Sequence, residues 1–434
     1  MDVRTIVILL GTLFVHVNVV AQFSGYVSAT YGYHENPLYN YERVFDNIKQ
    51  SYLELNYDKE FEASNLHFGY TSGLMLFDRF QDRNYYEHNI LSSYNMRFEK
   101  RSADLNGGEV DKFARDDSIG HIDAGGQSPK VTALDDSTDA YLDLAFTGSA
   151  RHDKSVYKEF DNYGTELAAT YRFMISKRFF LRISNAVGYR SYTYLSELSN
   201  VHDILAFGLG NKTGTSFDFG LRVIGGVKHY TSSVYDTARF ETRRTYSETA
   251  TGKGKGGAKL VVPSTKKILT SPGSNNAFQL SPGFYLVKKW SRASIGAEFL
   301  YRLNFGTSTR YLAQYANTSI LTEDIYNDHF SYEGPEIQTT YKRTTWFGIQ
   351  SMITVALQRK NFGAPAFDLA GDQIGNHRKD LRSSAEAYIS KYFKLFEGSG
   401  LDISVGAGAV RNQSSDDYND YSALNISMSV GIDF

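Results

Sequence analysis

The last residues of the chain alternate without a break between apolar and small or polar side chains. One face carries Leu424, Ile426, Met428, Val430, Ile432 and Phe434, and the other carries Asn425, Ser427, Ser429, Gly431 and Asp433. Because successive side chains of a strand point to opposite faces, this period of two predicts a β-strand with one apolar face. A strand that crosses a bilayer needs about 9–11 residues, and this segment is long enough.

The same alternation recurs along most of the chain and predicts an all-β protein. We expect a single closed antiparallel transmembrane β-barrel of 16 strands, with 14 as the alternative, because closure leaves no unpaired strand edge in lipid. The predicted strands lie near 23–34, 48–59, 65–77, 88–100, 138–149, 165–176, 178–194, 202–211, 215–229, 277–289, 293–306, 330–341, 345–359, 381–396, 400–411 and 421–434.

The connections between these strands alternate between short and long. Short ones include Ser176-Lys177 and Ser291-Arg292, whereas long ones include Tyr230–Asn275 and Gly306–His329. Outer-membrane barrels have short periplasmic turns and long extracellular loops, so both termini are expected on the periplasmic side. The long acidic segment Arg101–Asp136 breaks this rule. We expect that this segment contains two weak strands, or that the count of up and down strands is wrong at this point, or that the segment folds into the lumen.

The N-terminal segment predicts export from the cytoplasm. Arg4 precedes an apolar run from Ile6 to Val20, and small residues follow up to Ala21. This is the pattern of a cleaved signal peptide, so we divide the chain into a signal peptide, 1–21, and an outer-membrane barrel, 22–434. The chain has no cysteine, which excludes disulfides and thiolate metal sites, and its mean hydropathy of −0.37 is too low for a helical membrane protein.

The C-terminal run Ser429-Val430-Gly431-Ile432-Asp433-Phe434 resembles the assembly signal of bacterial outer-membrane β-barrel proteins. In that signal a terminal aromatic residue follows apolar residues at alternate positions, here Val430, Ile432 and Phe434. The resemblance implies a porin-like barrel in the outer membrane of a Gram-negative bacterium, in contact with lipid, lipopolysaccharide and the barrel-assembly machinery. The tyrosine-rich, cysteine-free composition is similar to that of large barrels of Bacteroidota-type bacteria. The residues show no close match to a named porin or receptor family.

Charged residues in the polar phase of the middle strands are the candidate functional residues. We expect seven of them to line the lumen and set its selectivity: Arg172, Arg182, Arg190, Arg222, Lys228, Glu298 and Arg302. The five cations of the first four middle strands should share one wall, and rows of charge set ion selectivity in channels. Acidic residues are expected elsewhere, at Glu54, Asp58, Asp143, Asp402 and Asp433. Alternatively, Glu166 and Asp218 neutralise the cations.

These observations predict an outer-membrane channel for passive or weakly selective passage of small polar solutes, favouring anions. Two alternatives remain: a transporter of hydrophobic compounds, and a non-transporting barrel in a surface complex. We predict no enzyme, since no histidine lies at a recognisable spacing from a nucleophile, and no catalytic residues, metal or cofactor. The formal net charge of −2 gives no reason to expect nucleic acid as a partner.

Overall fold

The computed structural model is an all-β protein. It describes residues 23–37, 45–61, 63–98, 140–154, 161–176, 178–194, 196–211, 216–231, 243–246, 260–263, 268–270, 276–305, 310–312, 329–363, 366–368, 373–396 and 398–434. The predicted signal peptide, 1–21, lies outside these residues. Within them, no helix is long and apolar enough to span a bilayer.

Sixteen strands form the wall of the molecule, and they coincide with the sixteen segments predicted from the alternation. They are β1 (Phe23–His34), β2 (Asp46–Phe61), β3 (Ser64–Phe77), β4 (Tyr85–Phe98), β5 (Ala140–Asp153), β6 (Asn162–Met174), β7 (Phe179–Tyr192), β8 (Asn200–Asn211), β9 (Phe217–Tyr230), β10 (Asn276–Lys289), β11 (Ala293–Phe305), β12 (Tyr332–Thr344), β13 (Ile349–Phe362), β14 (Lys379–Phe396), β15 (Ser399–Ser414) and β16 (Tyr421–Asp433). Short two-stranded ladders lie outside the wall at Arg243–Tyr246 with Leu260–Pro263, Ile268–Thr270 with Arg310–Leu312, and Ala366–Phe367 with Gln373–Gly375.

The sheet closes between its first and last strands. Each strand pairs antiparallel with the next in sequence, and β1 pairs with β16, from Tyr26 opposite Asp433 to His34 opposite Asn425. Closure gives every strand two neighbours, so the backbone groups of the wall are satisfied without water. The predicted sixteen-stranded antiparallel barrel is therefore confirmed, and the alternative of 14 strands is wrong.

The long segment after β4 adds no strand to the wall. Phe98 of β4 pairs directly with Ala140 of β5, so the count of up and down strands keeps its parity. Residues 99–139, which include Arg101–Asp136, lie outside the described residues. They connect two strands at the end of the barrel that also carries the short connections 62–63, 290–292 and 397–398. We call this end periplasmic, because outer-membrane barrels have their short turns there.

The outer surface of the barrel is apolar. Side chains of the outward phase are strongly exposed, for example Leu221 at 59%, Met428 at 52% and Val355 at 51%. A continuous apolar surface of this kind is unsuited to water and suited to lipid. Polar pairs also occur on it, for example where the Asn185 side-chain amide donates to the Asp203 carboxylate at 2.6 Å.

Aromatic side chains mark both edges of the apolar surface. Near the periplasmic end, the ring of Tyr57 lies 4.9 Å from that of Phe23 and 6.4 Å from that of Phe68. Near the opposite end, the ring of His152 lies 5.1 Å from that of Tyr86 and 5.3 Å from that of Tyr163. Two such girdles at the membrane interfaces are typical of outer-membrane barrels.

A buried ion pair lies at the extracellular ends of β14 and β15. Arg378 and Asp380, which are 2% and 3% exposed, form an ion pair of 2.6 Å. The Asp380 carboxylate also accepts hydrogen bonds from the Asn412 amide at 3.1 Å and the Ser414 hydroxyl at 2.6 Å. One carboxylate thus joins the end of β14 to the end of β15.

The two faces of β13 provide a direct test of the barrel in lipid. Val355 faces outward near the middle of the strand, whereas its neighbour Thr354 faces the lumen and shares a hydroxyl hydrogen bond of 3.2 Å with Thr340. We expect Val355→Arg to reduce the free energy of unfolding by about 2–4 kcal/mol, since it places a charge near the bilayer midplane. Thr354→Arg should cost far less. Denaturant unfolding in lipid vesicles measures both, and equal losses would mean that the two faces are assigned wrongly.

The buried ion pair predicts that two substitutions at the same end of the barrel differ in their effect on the free energy of unfolding. Asp380→Asn should reduce the free energy of unfolding by about 3–5 kcal/mol, because the buried Arg378 guanidinium loses its balancing charge. Asp420→Asn is the matched control. Its carboxylate pairs with Arg411 at 2.5 Å, but both side chains are about 40% exposed, so a change of about 0–1 kcal/mol is expected. Similar losses for both variants would show that burial does not set the strength of these pairs.

Candidate functional site in the barrel lumen

The inner surface of the barrel carries the polar phase of each strand. On β9 the outward residues Phe219, Leu221 and Val223 are exposed, and Arg222 between them points inward. The same phase relation places all seven predicted lumen residues inside the barrel, as their strands' burial patterns and pairings show: Arg172, Arg182, Arg190, Arg222, Lys228, Glu298 and Arg302. The structure then divides them into two groups of three residues and one separate lysine.

The first group, which we call the arginine wall, consists of Arg172, Arg182 and Arg190 on β6 and β7. Arg172 lies directly opposite Arg182 across the two strands, so two like charges face each other. The Arg172 guanidinium lies 4.1 Å from the centre of the Phe180 ring, which holds it against the wall. Within the described part of the chain, none of these three arginines forms an ion pair with a carboxylate.

The acids expected to neutralise this wall have other partners. Glu166 lies 3.4 Å from the His202 imidazole, and Asp218 lies 2.6 Å from the Lys289 ammonium. The alternative that Glu166 and Asp218 cancel the cations therefore does not hold for the arginine wall. Both acids are near the cations in sequence, but their side chains contact residues of other strands.

The second group is a network of ion pairs on β9 to β12. Arg222 pairs with Glu298, and Arg302 pairs with Glu336 at 3.0 Å. A guanidinium nitrogen of Arg302 also donates to the side-chain amide oxygen of Gln279 at 3.4 Å. Arg222 was expected to act with the other cations of the middle strands. That interpretation is wrong, since Glu298 two strands away balances its charge.

Lys228 does not belong to the arginine wall either. It lies near the extracellular end of β9 and is only 8% exposed. Its ammonium lies 5.3 Å from the centre of the Tyr230 ring and 5.8 Å from that of Phe330. Because it is buried, this cation is not part of the solvent-accessible lumen. Sequence periodicity could not indicate this burial.

A second set of inward residues, which we call the acidic wall, lies on β2 and β14 to β16. It consists of Glu54, Glu386, Asp402 and Asp433. Tyr26 of β1 stands between Glu54 and Asp433 in the strand register, and the Tyr392 hydroxyl donates to Asp433 at 3.0 Å. Glu386 was missed in the sequence, although its phase with Ser384 and Tyr388 marks it as inward.

Two other acids occupy different surroundings. Asp58 faces the lumen but lies 2.8 Å from the His67 imidazole. Asp143 lies on β5, next to β6, where it interacts electrostatically with Arg182. It was expected away from the cations, and that expectation is wrong, because the closed sheet brings β5 beside the arginine wall.

Glycines let aromatic rings lie flat against the inner surface. A Cβ atom at Gly431 would collide with the Tyr26 ring, and one at Gly400 would collide with the Tyr392 ring. Both rings therefore take the space of a missing side chain on the neighbouring strand. They line the acidic wall without extending far into the lumen.

The lumen differs between its two ends. At the extracellular end the inward residues are buried, as for His34 at 1%, Tyr332 at 1% and Phe362 at 2%. Arg182 near the periplasmic end of β7 and Glu386 near the middle of β14 are exposed although they face inward. Arg172 and Arg182 thus lie in the more open periplasmic half, whereas Arg190 lies near the opposite end, where side chains pack the lumen.

Comparison with known proteins adds only distant structural likeness. No protein family and no curated protein matches the chain in sequence. Among solved structures, OprD of Pseudomonas aeruginosa is 9% identical with a TM-score of 0.41, covering 95% of this chain and 94% of that chain. OpdK of Pseudomonas aeruginosa, solved with vanillate, is 11% identical with a TM-score of 0.42, covering 95% and 99%. OccAB2 of Acinetobacter baumannii is 10% identical with a TM-score of 0.43, covering 95% and 98%.

Identities and TM-scores at this level carry no information about a solute. The architecture stands on its own features, which are a closed even-numbered antiparallel sheet, an apolar outer surface between two aromatic girdles, and a charged interior. The chain is a closed sixteen-stranded antiparallel β-barrel with the architecture of outer-membrane barrels.

Proposed function

We propose that the barrel is a channel for passive or weakly selective passage of small polar solutes, and that it favours anions. The observation that carries this proposal is the arginine wall. Three guanidinium groups face the lumen, Arg172 and Arg182 of them in its more open periplasmic half, and no described carboxylate forms an ion pair with any of the three. Sixteen-stranded barrels are wide enough to leave an aqueous path.

The strand register makes the arginine wall a place for mobile anions. Directly opposite residues of neighbouring strands have Cβ atoms about 4.5–5.5 Å apart, so the charges of Arg172 and Arg182 repel each other. At physiological salt, screening acts over about 8 Å and does not remove a repulsion at this distance. Anions that enter the lumen relieve it, and their local concentration rises.

The acidic wall offsets this effect only in part. The Glu54 carboxylate accepts hydrogen bonds from Tyr52 at 3.1 Å and Asn56 at 2.7 Å, and Asp433 accepts one from Tyr392. On the arginine wall, Asp143 interacts electrostatically with Arg182, but no described carboxylate forms an ion pair with any of the three arginines. This difference supports a weak preference for anions over cations.

The other candidate functions find less support. A transporter of hydrophobic compounds needs an apolar lumen, whereas this lumen is charged along both walls. A barrel that only takes part in a surface complex needs no open interior, and the packing at the extracellular end agrees with that idea. The exposure of the inward-facing Arg182 and Glu386 favours a channel.

The test of selectivity is the reversal potential in a salt gradient, measured in planar bilayers. We expect the wild type to favour the anion, and Arg172→Glu with Arg182→Glu to favour the cation, because the wall changes sign. The control exchanges the charges of the paired network, Arg222→Glu with Glu298→Arg, and should leave the potential unchanged. If the first double mutant conducts with the potential of the wild type, the arginine wall does not set selectivity.

We further propose that Val430, Ile432 and Phe434 form the signal read by the barrel-assembly machinery. Phe434 also completes the closure, since its backbone N–H donates to the Gly25 carbonyl at 3.0 Å and its carbonyl accepts from the Gly25 N–H at 2.8 Å. Its ring lies against Gly25, where a Cβ atom would be in collision. The residue thus lies at the seam where the first and last strands meet.

The assembly proposal predicts a loss of folded protein in the outer membrane for Phe434→Ala, with export unaffected. Phe23→Ala is the matched control. Phe23 is an aromatic residue of the same girdle, is 59% exposed and packs on Tyr57, but lies on β1. Fractionation and heat-modifiable mobility on gels measure the folded amount. Equal folded amounts in the two variants would mean that Phe434 acts only as a girdle residue.

A further inference from the structure

A group of cations lies on the outside of the barrel, at the periplasmic end of β10 to β14. Lys288, the penultimate residue of β10, and Arg343, the penultimate residue of β12, take the outward phase of their strands. Lys391 takes the outward phase of β14, and Arg292 lies in the turn between β10 and β11. We call these four residues the basic rim. Three of the four side chains therefore point away from the lumen.

Two members of the basic rim are close neighbours. Ala293 pairs directly with Arg343, and the peptide N–H that follows Arg343 donates to the Arg292 carbonyl at 2.8 Å. The two arginines are therefore adjacent on neighbouring strands, where like charges repel each other. Lys288 and Lys391 flank this pair, each two strands away from Arg343. An anion that approaches the pair relieves the repulsion.

No carboxylate among the described residues neutralises the basic rim. The partners seen there are neutral: the Lys288 ammonium donates to the Ser216 hydroxyl at 2.8 Å, and the Lys391 ammonium lies 4.9 Å from the centre of the Phe393 ring. Among the described residues of β9 to β15, the only outward carboxylate is Glu333, at the extracellular end of β12. This side of the barrel is thus positively charged at its periplasmic end.

The basic rim also carries both tryptophans of the chain. Trp290 follows β10 in its outward phase and is 53% exposed, whereas Trp346 and Phe347 form the tip of the turn between β12 and β13 and are 82% and 81% exposed. The Arg292 guanidinium lies 4.7 Å from the centre of the Trp346 ring. Tryptophan beside basic side chains is typical of a membrane–water interface, where the ring contacts lipid and the cation reaches the head groups.

The turn between β12 and β13 closes without its two aromatic side chains. The Thr345 N–H donates to the Ile349 carbonyl at 2.8 Å, and the Thr345 hydroxyl accepts from the Ile349 N–H at 3.1 Å. Gly348 has a φ of 73°, which glycine adopts without strain. Trp346 and Phe347 therefore contribute little to the turn itself, and a partner outside the barrel accounts for their exposure.

We propose that the basic rim binds the head group of an anionic phospholipid of the phosphatidylglycerol class, in the leaflet at the periplasmic end. Arg292 and Arg343 hold the phosphodiester, since a guanidinium group matches two phosphate oxygens at once. Trp346 and Phe347 insert beside the head group, and the two lysines of the rim attract neighbouring lipids. A zwitterionic head group is disfavoured, because the rim repels its cationic part. The proposed channel function is not needed for this inference.

The two tryptophans make the basic rim observable without a label. The protein is refolded into phosphatidylcholine vesicles that contain a brominated lipid at one low mole fraction, either phosphatidylglycerol or phosphatidylcholine. Bromine quenches the fluorescence of an indole that it contacts. We expect brominated phosphatidylglycerol to bind about fivefold more tightly than brominated phosphatidylcholine, from two solvent-exposed charge contacts. The preference should largely disappear at about 1 M salt, where the screening length falls to about 3 Å.

Two double variants separate a local site from the general charge of the protein. Arg292→Gln with Arg343→Gln should abolish the preference. Arg359→Gln with Lys379→Gln is the matched control, because it removes two outward cations at the extracellular ends of β13 and β14, and it should retain the preference. Each variant is compared with itself in unbrominated lipid, since the loss of Arg292 from the Trp346 ring changes the brightness of the indole.

A third variant, Lys288→Gln with Lys391→Gln, leaves both arginines in place and should weaken the preference, so the test does not depend on refolding of the arginine variant. Equal quenching by the two brominated lipids in the wild type would overturn the inference. A preference that the arginine variant retains, or that the control loses, would also overturn it. Quenching by neither lipid would place the tryptophans in water beyond the membrane, and the inference would then be wrong.

Discussion

Hydrogen bonding of the backbone in a medium without water is the constraint on which this structure depends. Each N–H and C=O of the wall must find a partner in a neighbouring strand, and the edges of an open sheet would leave a row of groups unsatisfied. The pairing of β1 with β16 removes that edge, and Phe434 extends the ladder to Gly25. Strand number, alternation and the division into two surfaces all follow from closure.

Closure also determines where charge can lie. With lipid outside, the polar phase of every strand is confined to the interior, so charges that are far apart in sequence meet there. Some cancel, as Arg222 does with Glu298 and Arg302 with Glu336. Others remain separated by the width of the lumen, because the sheet holds the arginine wall and the acidic wall on opposite sides. The interior thus contains neutral patches, where opposite charges pair, and two separate walls of opposite charge.

Sequence periodicity predicted the fold well because it reports which face a residue takes. Even Ile224, an apolar residue in the polar phase of β9, faces inward as its position requires. Periodicity carries no information about partners across strands, which depend on register and side-chain reach. The ion pair between Arg222 and Glu298 was therefore not predicted, and neither was the contact between Glu166 and His202. The burial of Lys228 among aromatic rings was not predicted either. Asp143 was misplaced because its neighbours in the closed sheet were unknown.

The rings of Tyr26 and Tyr392 rest where Gly431 and Gly400 have no side chain. Each glycine therefore sets how far a phenol stands out from the wall, independently of the backbone that carries it. A single methyl group at either position would displace a whole ring towards the axis while leaving the strands in place. The bore of such a barrel can thus be adjusted in small steps during evolution, one glycine at a time, without any change in strand number.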